Sequence, residues 1–113
     1  MAPAVARAAD APAPPLFGQI GRMIANPGQR DALIAIMIDG AKGMPGCLSY
    51  IVARDGDDAD AIWITEVWDS EASHDAALAM PAVQAAIGKG RPLVARIDTG
   101  AVTVPVGGVG LPA

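Results

Sequence analysis

The chain has 113 residues, enough for one domain, and is 52% hydrophobic and 18% charged, with a formal net charge of −4. This composition excludes a disordered chain, and an acidic balance without a Lys/Arg cluster argues against a nucleic-acid-binding surface. No apolar run approaches the length of a membrane span. The single cysteine, Cys47, excludes an internal disulfide and offers no metal-ligand spacing, which favours a reducing, cytoplasmic location.

The N-terminal segment differs in composition from the first predicted strand. Residues 1–15 are rich in alanine and proline, lack the continuous apolar segment of a secretory signal, and predict a flexible arm. A strand is predicted over residues 16–24, where Gly18 and Gly21 permit close approach of another backbone or of a ligand.

The first helix is predicted directly after this strand. Asn26 is its expected N-cap, Pro27 its first residue, and Gln29 the partner in a capping box. Aliphatic residues at helical spacing continue to Ala41, and the glycines and proline of residues 43–46 end the helix.

Two further strands are predicted over residues 47–54 and 61–68, joined by the polar connection DGDDAD. The four aspartates of this connection resemble a calcium loop. However, Ala59 and Asp60 occupy positions where such a loop needs a ligand and a glycine. We therefore interpret the connection as a solvated turn without a metal.

The second half of the chain predicts a broken helix and a last strand. Ser70 is expected to cap a short helix, and Pro81 interrupts the pattern and opens a further segment that ends by Gly90. The last strand is predicted over residues 93–104, and residues 107–113 form a tail rich in glycine and proline.

This order of elements predicts an α+β, ferredoxin-like βαββαβ fold over residues 16–106, with an antiparallel sheet and the helices on one face. Alternation divides the third strand into two faces: Ile62, Ile64, Glu66 and Trp68 on one, and Trp63, Thr65 and Val67 on the other. Both faces are mostly apolar, whereas a sheet covered on one side alone exposes polar residues on the other. The sequence therefore predicts a homodimer that buries the open face.

The segment from Glu66 to His74 contains the residues best suited to chemistry. Histidine titrates near neutral pH, so His74, the only histidine in the chain, is the candidate proton acceptor. Glu66 and Trp68 share one face of the third strand. A carboxylate beside an indole loses hydration and needs a partner, for which Arg22 and Arg54 are candidates.

Structural interpretations of the same residues stay open. A lone histidine on a short amphipathic helix is most often a surface or capping residue, and Glu66 can serve in a structural ion pair. Tyr50, the only tyrosine, can either pack or direct its hydroxyl into a pocket. Cys47 is interpreted as a small buried hydrophobic residue. The residues alone lead to a candidate pocket and no further.

Three stretches of the chain resemble the antibiotic biosynthesis monooxygenase (ABM) family: FGQIGRMIANPGQRDAL, MPGCLSYIVARD and IWITEVWDSEASHDAAL. The similarity extends from about Leu16 to about Val106 and depends on the order and spacing of the three stretches together. The resemblance implies a dimeric α+β barrel in which two ferredoxin-like sheets face each other.

The resemblance also implies an activity. The best-understood members oxidise polycyclic phenols or hydroquinones with O2 and without metal, haem or flavin, because the deprotonated substrate itself reduces oxygen. By position, the resemblance implies His74 as the base or a hydrogen-bond partner, Trp68 as a stacking wall and Glu66 as an orienting group. With Tyr50 and Arg22 as further substrate-binding candidates, we predict a cofactor-independent monooxygenase for a small phenolic or hydroquinone substrate.

Three alternatives accompany this prediction. Haem-degrading relatives need a histidine in the later helix and an asparagine in the first strand; here the helix has none and Gly21 lies near the strand position, which disfavours haem degradation. The main alternative is a non-catalytic dimeric barrel that binds a small aromatic metabolite or acts as an accessory subunit. A cofactor-free isomerase or lyase that uses the same pocket and base is the third.

Overall fold

The computed structural model describes residues 13–111. The elements are β1 (Phe17–Ala25), α1 (Arg30–Gly40), β2 (Cys47–Arg54), β3 (Ala61–Trp68), α2 (Glu71–Ala77), α3 (Pro81–Gly90), a 3₁₀ turn (Arg91–Leu93) and β4 (Val94–Thr103). The predicted α+β βαββαβ order is confirmed, with the second helix in two pieces. Most of the predicted arm and the last two residues of the predicted tail lie outside the described residues.

The four strands form one antiparallel sheet in the order β2-β3-β1-β4. β1 and β3 pair without a register shift, so that Gln19 lies opposite Glu66, and Tyr50 of β2 lies opposite Glu66 on its other side. Side chains that share a row in an antiparallel sheet point to the same face. Gln19, Glu66 and Tyr50 therefore form a polar row across three strands.

The helices pack on one face of this sheet. A first core cluster joins Ala25 and Leu33 to the β3 residues Ile62 and Ile64. A second cluster, of Phe17, Trp68 and Ala77, lies at the other end of the sheet beneath α2. Burying one large aliphatic side chain such as Leu33 contributes roughly 1.5–3 kcal/mol. The two clusters leave the polar row between them.

The start of α1 differs from the prediction. The helix begins at Arg30, Gln29 caps it without a side-chain hydrogen bond, and the predicted Asn26 cap is wrong. The Asn26 amide instead donates to the carbonyl oxygen of Pro92 at 2.9 Å, and Gly28 adopts a left-handed φ of 79° that a helix cannot continue through. A long-range hydrogen bond has here replaced a local cap.

The start of α2 agrees with the prediction. Ser70 is extended, and its Oγ accepts a hydrogen bond from the backbone N–H of Ser73 at 3.1 Å. The helix also packs closely on the turn before β2, since a Cβ on Gly46 would lie 2.6 Å from that of Ser73. Gly46 has a φ of 81°, which a residue with a side chain rarely adopts. The cap and the glycine together determine where His74 lies.

The aspartate connection between β2 and β3 is a network of turns. Oδ1 of Asp55 accepts from the backbone N–H groups of Asp57 and Asp58, both at 2.9 Å, and Asp58 does the same for Asp60 at 2.9 Å. Side chains of this type stabilise turns by such local hydrogen bonds. Among residues 13–111 there is no group of three or more histidine, cysteine, aspartate or glutamate side chains placed to hold a metal ion.

The other face of the sheet bears no helix within the described part of the chain. Ile51 is 57% exposed there, and Ile20, Ala53 and Thr65 are also exposed. The open face is thus apolar in part, as the alternation of β3 indicated. Across residues 13–111, every helix is too short or too polar to span a lipid bilayer.

Candidate active site

A cavity of about 490 Å³ lies between the helix-facing side of the sheet and the three helices. Its polar and aromatic lining comes from the strands, from α2 and from the 3₁₀ turn, and its remaining walls are mainly aliphatic and methionine side chains. The polar and aromatic members are Gln19, Tyr50, Glu66, Trp68, His74 and Arg91. This is the size range and character of a small-molecule pocket, which is apolar with a few convergent polar groups.

Glu66 is the centre of the polar group. Its Oε1 accepts a hydrogen bond from Nε1 of Trp68 at 2.8 Å and lies 3.7 Å from Nε2 of His74. The side chains of His74 and Glu66 are only 13% and 15% exposed. The carboxylate therefore has an indole donor and an imidazole as neighbours in a largely desolvated place.

His74 packs against two aromatic rings, and each of its ring nitrogens lies near a carboxylate. Its ring lies 4.8 Å from that of Phe17 and makes an edge-on contact with Trp68 at 5.6 Å. Nδ1 lies 3.0 Å from Oδ1 of Asp75. When Nδ1 carries the proton, it donates to this carboxylate and leaves the lone pair of Nε2 directed toward Glu66 and the cavity.

Tyr50 lines the cavity from β2, directly across from Glu66. Burial, with smaller contributions from Glu66 and Cys47, raises the pKa of Tyr50 to about 12. The phenol is therefore neutral at physiological pH and can donate a hydrogen bond into the cavity. Burial also raises the pKa of the Cys47 thiol, which agrees with its interpretation as a packed, unreactive residue.

The structure separates Arg22 from the other predicted site residues. Arg22 is opposite Trp63 in the β1–β3 register and therefore projects from the open face. Its guanidinium contacts Asp55 at 3.2 Å, Asp58 at 3.5 Å and Asp98, and stacks 5.9 Å above Trp63. The sheet lies between Arg22 and the cavity, so its predicted contact with substrate is corrected: Arg22 belongs to an ion cluster.

The partners proposed for Glu66 are likewise different. Arg54, the other candidate, pairs with Asp31 at 3.0 Å on the surface. Trp68 and His74 occupy the place that an arginine was expected to take. Arg22 is unavailable to Glu66 because it pairs with three carboxylates, those of Asp55, Asp58 and Asp98. These aspartates are remote from Arg22 in sequence, and no local sequence pattern indicates the pairing.

Three neighbours of the site were not anticipated. Gln19 lies opposite Glu66, Phe17 packs on His74, and Asp75 contacts its Nδ1. The only sequence signal for Gln19 is a polar residue between Phe17 and Gly21, in a strand whose one other polar residue is Arg22. Its role at the cavity becomes visible once the strand register is known.

One protein-family model matches the part of the chain that forms this site. The model of the antibiotic biosynthesis monooxygenase family matches residues 16–89, from the start of β1 to the last turn of α3. It therefore includes Gln19, Tyr50, Glu66, Trp68 and His74. The chain belongs to the antibiotic biosynthesis monooxygenase family. Membership supports a monooxygenase-type function. Among curated proteins, none matches the chain.

Solved structures agree with this assignment. A crystal structure from Chloroflexus aurantiacus J-10-fl that bears the family's name is 63% identical, covers 86% of this chain and 99% of its own, and superposes with a TM-score of 0.84. One from Caulobacter crescentus CB15 has 17% identity, coverage of 84% and 93%, and a TM-score of 0.75. PA3566 from Pseudomonas aeruginosa has 16% identity, coverage of 86% and 100%, and a TM-score of 0.74. The last two are evidence for the fold alone.

Proposed function

We propose that this ABM protein is a cofactor-independent monooxygenase that oxidises a small phenolic or hydroquinone substrate with O2. The observation that carries the proposal is the Glu66–His74 pair, 3.7 Å apart at the wall of a mostly apolar cavity. A base, a carboxylate and a neutral phenol converge there on a space for a flat aromatic ring. Trp68 forms the wall behind them.

The first step is removal of a phenolic proton. Nε2 of His74 accepts it, in the tautomer whose Nδ1–H donates to Asp75. The imidazolium that forms then has its new N–H beside the Glu66 carboxylate, which stabilises the charge. Tyr50 donates a hydrogen bond to the developing phenolate from the opposite strand. Each of these groups acts only on protons and charge.

The second step uses the electrons of the substrate. The phenolate transfers one electron to O2, and the organic radical and superoxide combine at a ring carbon to form a hydroperoxide. Loss of water leaves a new carbonyl at that carbon. For a hydroquinone the sum is hydroquinone + O2 → hydroxyquinone + H2O, so one oxygen atom enters the product and the other leaves in water. No external reductant is required.

The cavity supports this chemistry by surrounding the reactive species mainly with apolar side chains. Met37, Met44 and Leu78 are among its walls, and an apolar lining limits side reactions of the radical and peroxide. The low polarity also strengthens the interactions of Glu66, His74 and Tyr50 with charge that develops on the ring.

We further propose that the protein is a cytoplasmic homodimer joined through the open face of the sheet. The exposed Ile20 and Ile51 on that face support the proposal, because a large apolar surface without a helix is costly in water. Light scattering on wild type and Ile51→Asp tests it. The wild type is expected as a dimer and the variant as a monomer; a monomeric wild type contradicts the proposal.

Oxygen uptake tests the activity. Metal-free protein is incubated with a panel of hydroquinones and polycyclic phenols, as wild type, His74→Ala and Lys89→Ala, the last an exposed control on α3. Uptake by wild type and by the control, lowered about 10²–10⁴-fold in His74→Ala, is the expected result. No uptake above autoxidation with any substrate contradicts it.

A binding protein without activity is the second candidate. It is favoured by the tight packing of His74 between Phe17 and Trp68, since such a histidine can be structural. In that case, phenols bind to the wild type without oxygen uptake, and His74→Ala lowers thermal stability and binding together.

A further inference from the structure

The active-site cavity continues toward β4. A second cavity, of about 450 Å³, shares six lining residues with the first: Gln19, Met23, Met37, Tyr50, Glu66 and Ile97. The helices do not cover the β4 edge of the helix-facing side, where Ile97 and Val102 are 66% and 65% exposed. We name this second cavity the β4 groove.

The floor of the β4 groove is made of glycine. Gly21 of β1 lies opposite Gly100 of β4, and alternation with Gln19 and Met23 places Gly21 on the helix-facing side. Neither glycine has a positive φ. A Cβ added to Gly21 would lie 3.8 Å from its nearest neighbour, the carbonyl oxygen of Thr99. A Cβ added to Gly100 would lie 3.9 Å from the carbonyl oxygen of Ile20.

The backbone therefore does not require glycine at either position. Glycine in a strand interior weakens the strand and often marks a β-bulge or a place where another molecule approaches the backbone. The register shifts of the β1–β4 pair lie beyond Arg22, and Gly21 and Gly100 are paired in register. Two glycines side by side produce a flat, open floor. The groove's apolar border is formed by Met23, Met37, Ile64, Ile97 and Val102. Its polar lining residues are Thr99 and the three that it shares with the active-site cavity, Gln19, Tyr50 and Glu66.

The polarity of the joined cavities is uneven. His74 and Trp68 line the active-site cavity alone, whereas Gln19, Tyr50 and Glu66 line both cavities. The residues that line the groove alone are apolar except for Thr99. A ligand that fills both spaces needs a polar ring at one end and an apolar portion at the other. A small unsubstituted phenol leaves the groove empty and its apolar walls in water.

We propose that the β4 groove binds an alkyl chain attached to the phenolic ring, so that the substrates are alkyl-substituted phenols or hydroquinones. This inference rests on the proposed function for the position of the ring. Gly21 and Gly100 are then specificity-determining residues, because a branched side chain at either position projects into the groove where the alkyl chain would lie. The competing occupant is the C-terminal segment of a second copy, whose Val104, Val106 and Val109 are exposed.

Anaerobic binding tests the groove without turnover. Two hydroquinones that differ in one substituent, methyl or hexyl, are titrated by tryptophan fluorescence into wild type, Gly21→Val and Gly100→Val. The matched control is Gly56→Val in the β2–β3 loop, where an added Cβ meets nothing within 4 Å. Thermal melts establish that each variant is folded.

The wild type is expected to bind the hexyl compound at least about tenfold more tightly, since each fully buried methylene contributes about fourfold. Gly21→Val and Gly100→Val lose this preference and keep their affinity for the methyl compound, and Gly56→Val behaves like wild type. Equal affinities in wild type overturn the inference, as expected if a second copy's tail fills the groove. A preference that survives in both groove variants also overturns it.

Oxygen uptake with the same pair separates the two proposals. If both hydroquinones are oxidised with equal efficiency by wild type and by the groove variants, the monooxygenase stands and the groove assignment fails. If the hexyl preference in binding depends on Gly21 but neither compound is oxidised, the groove assignment stands and the monooxygenase fails.

Discussion

The two faces of the sheet each carry a tryptophan that donates to a carboxylate, and they use it differently. On the open face, Nε1 of Trp63 donates to Asp55 at 2.8 Å; on the helix face, Nε1 of Trp68 donates to Glu66 at 2.8 Å. Asp55 also accepts from two backbone N–H groups and from Arg22. Glu66 has the His74 imidazole at 3.7 Å instead.

The two carboxylates differ in how many hydrogen bonds they already accept. Backbone hydrogen bonds from Asp58 and Asp57, then Trp63 and Arg22, hold the pKa of Asp55 well below its ordinary value. The hydrogen bond to Asp55 in turn raises the pKa of Arg22. Such a cluster stabilises a loop and leaves no capacity for a ligand. Glu66 keeps that capacity because its neighbours are a single indole and a titratable ring beside a cavity.

Exchanging each carboxylate for its amide gives the largest expected contrast. Glu66→Gln removes the charge that stabilises the imidazolium, and we expect kcat/KM for a hydroquinone to fall about 10²-fold with little change in melting temperature. Asp55→Asn is expected to lower the melting temperature and leave kcat/KM unchanged. Oxygen-uptake kinetics and thermal melts measure both. Equal losses of activity in the two variants would remove the distinction.

Asp55 also predicts how stability changes with acid. Because its folded pKa lies below the unfolded value, it contributes stability above about pH 4 that is lost as the pH falls further. Urea unfolding of wild type from pH 6 to pH 2 should show this loss. Asp55→Asn should show a smaller one, and an identical pH profile in the two proteins would contradict the assignment.

Removal of each indole N–H is a milder version of the same contrast. Trp68→Phe leaves Glu66 without its donor and opens space in the second core cluster, so we expect about tenfold lower activity and roughly 1–3 kcal/mol lower stability. Trp63→Phe, on the open face, should keep full activity. Steady-state kinetics on both variants test this difference, and an equal loss of activity in Trp63→Phe would contradict it.

Tyr50 offers a last prediction, for stability at alkaline pH. Burial raises the pKa of Tyr50 from its ordinary value near 10 to about 12. The side chain therefore favours the folded state below about pH 10, and that contribution is lost as the pH rises through 12. The loss amounts to about 2–3 kcal/mol at most. Denaturant unfolding at pH 9 and pH 11.5 should show it in wild type and not in Tyr50→Phe.

Much of this site could be predicted from local patterns. Alternation along β3 placed Glu66 and Trp68 on one face, and the Ser70 cap set the phase of α2 that brings His74 to them. These features depend on residues fewer than ten positions apart. The fold order followed from strand and helix periods in the same way.

What local patterns could not show depends on register and on distant partners. Gln19 lies beside Glu66 only because β1 pairs with β3 in this register. Asn26 does not cap α1 and instead donates a hydrogen bond to a carbonyl oxygen 66 residues away. Arg22 was misplaced because its three aspartates come from a loop and from β4. Tertiary contacts decided each of these positions against the local preference.

Isotope labelling tests the central claim most directly. Metal-free wild type is supplied with a hydroquinone that it turns over and with ¹⁸O2, and the product is analysed by mass spectrometry. Our account predicts one ¹⁸O atom in the hydroxyquinone and the other in water, with no hydrogen peroxide. An unlabelled quinone together with peroxide would show an oxidase in place of a monooxygenase and contradict the account.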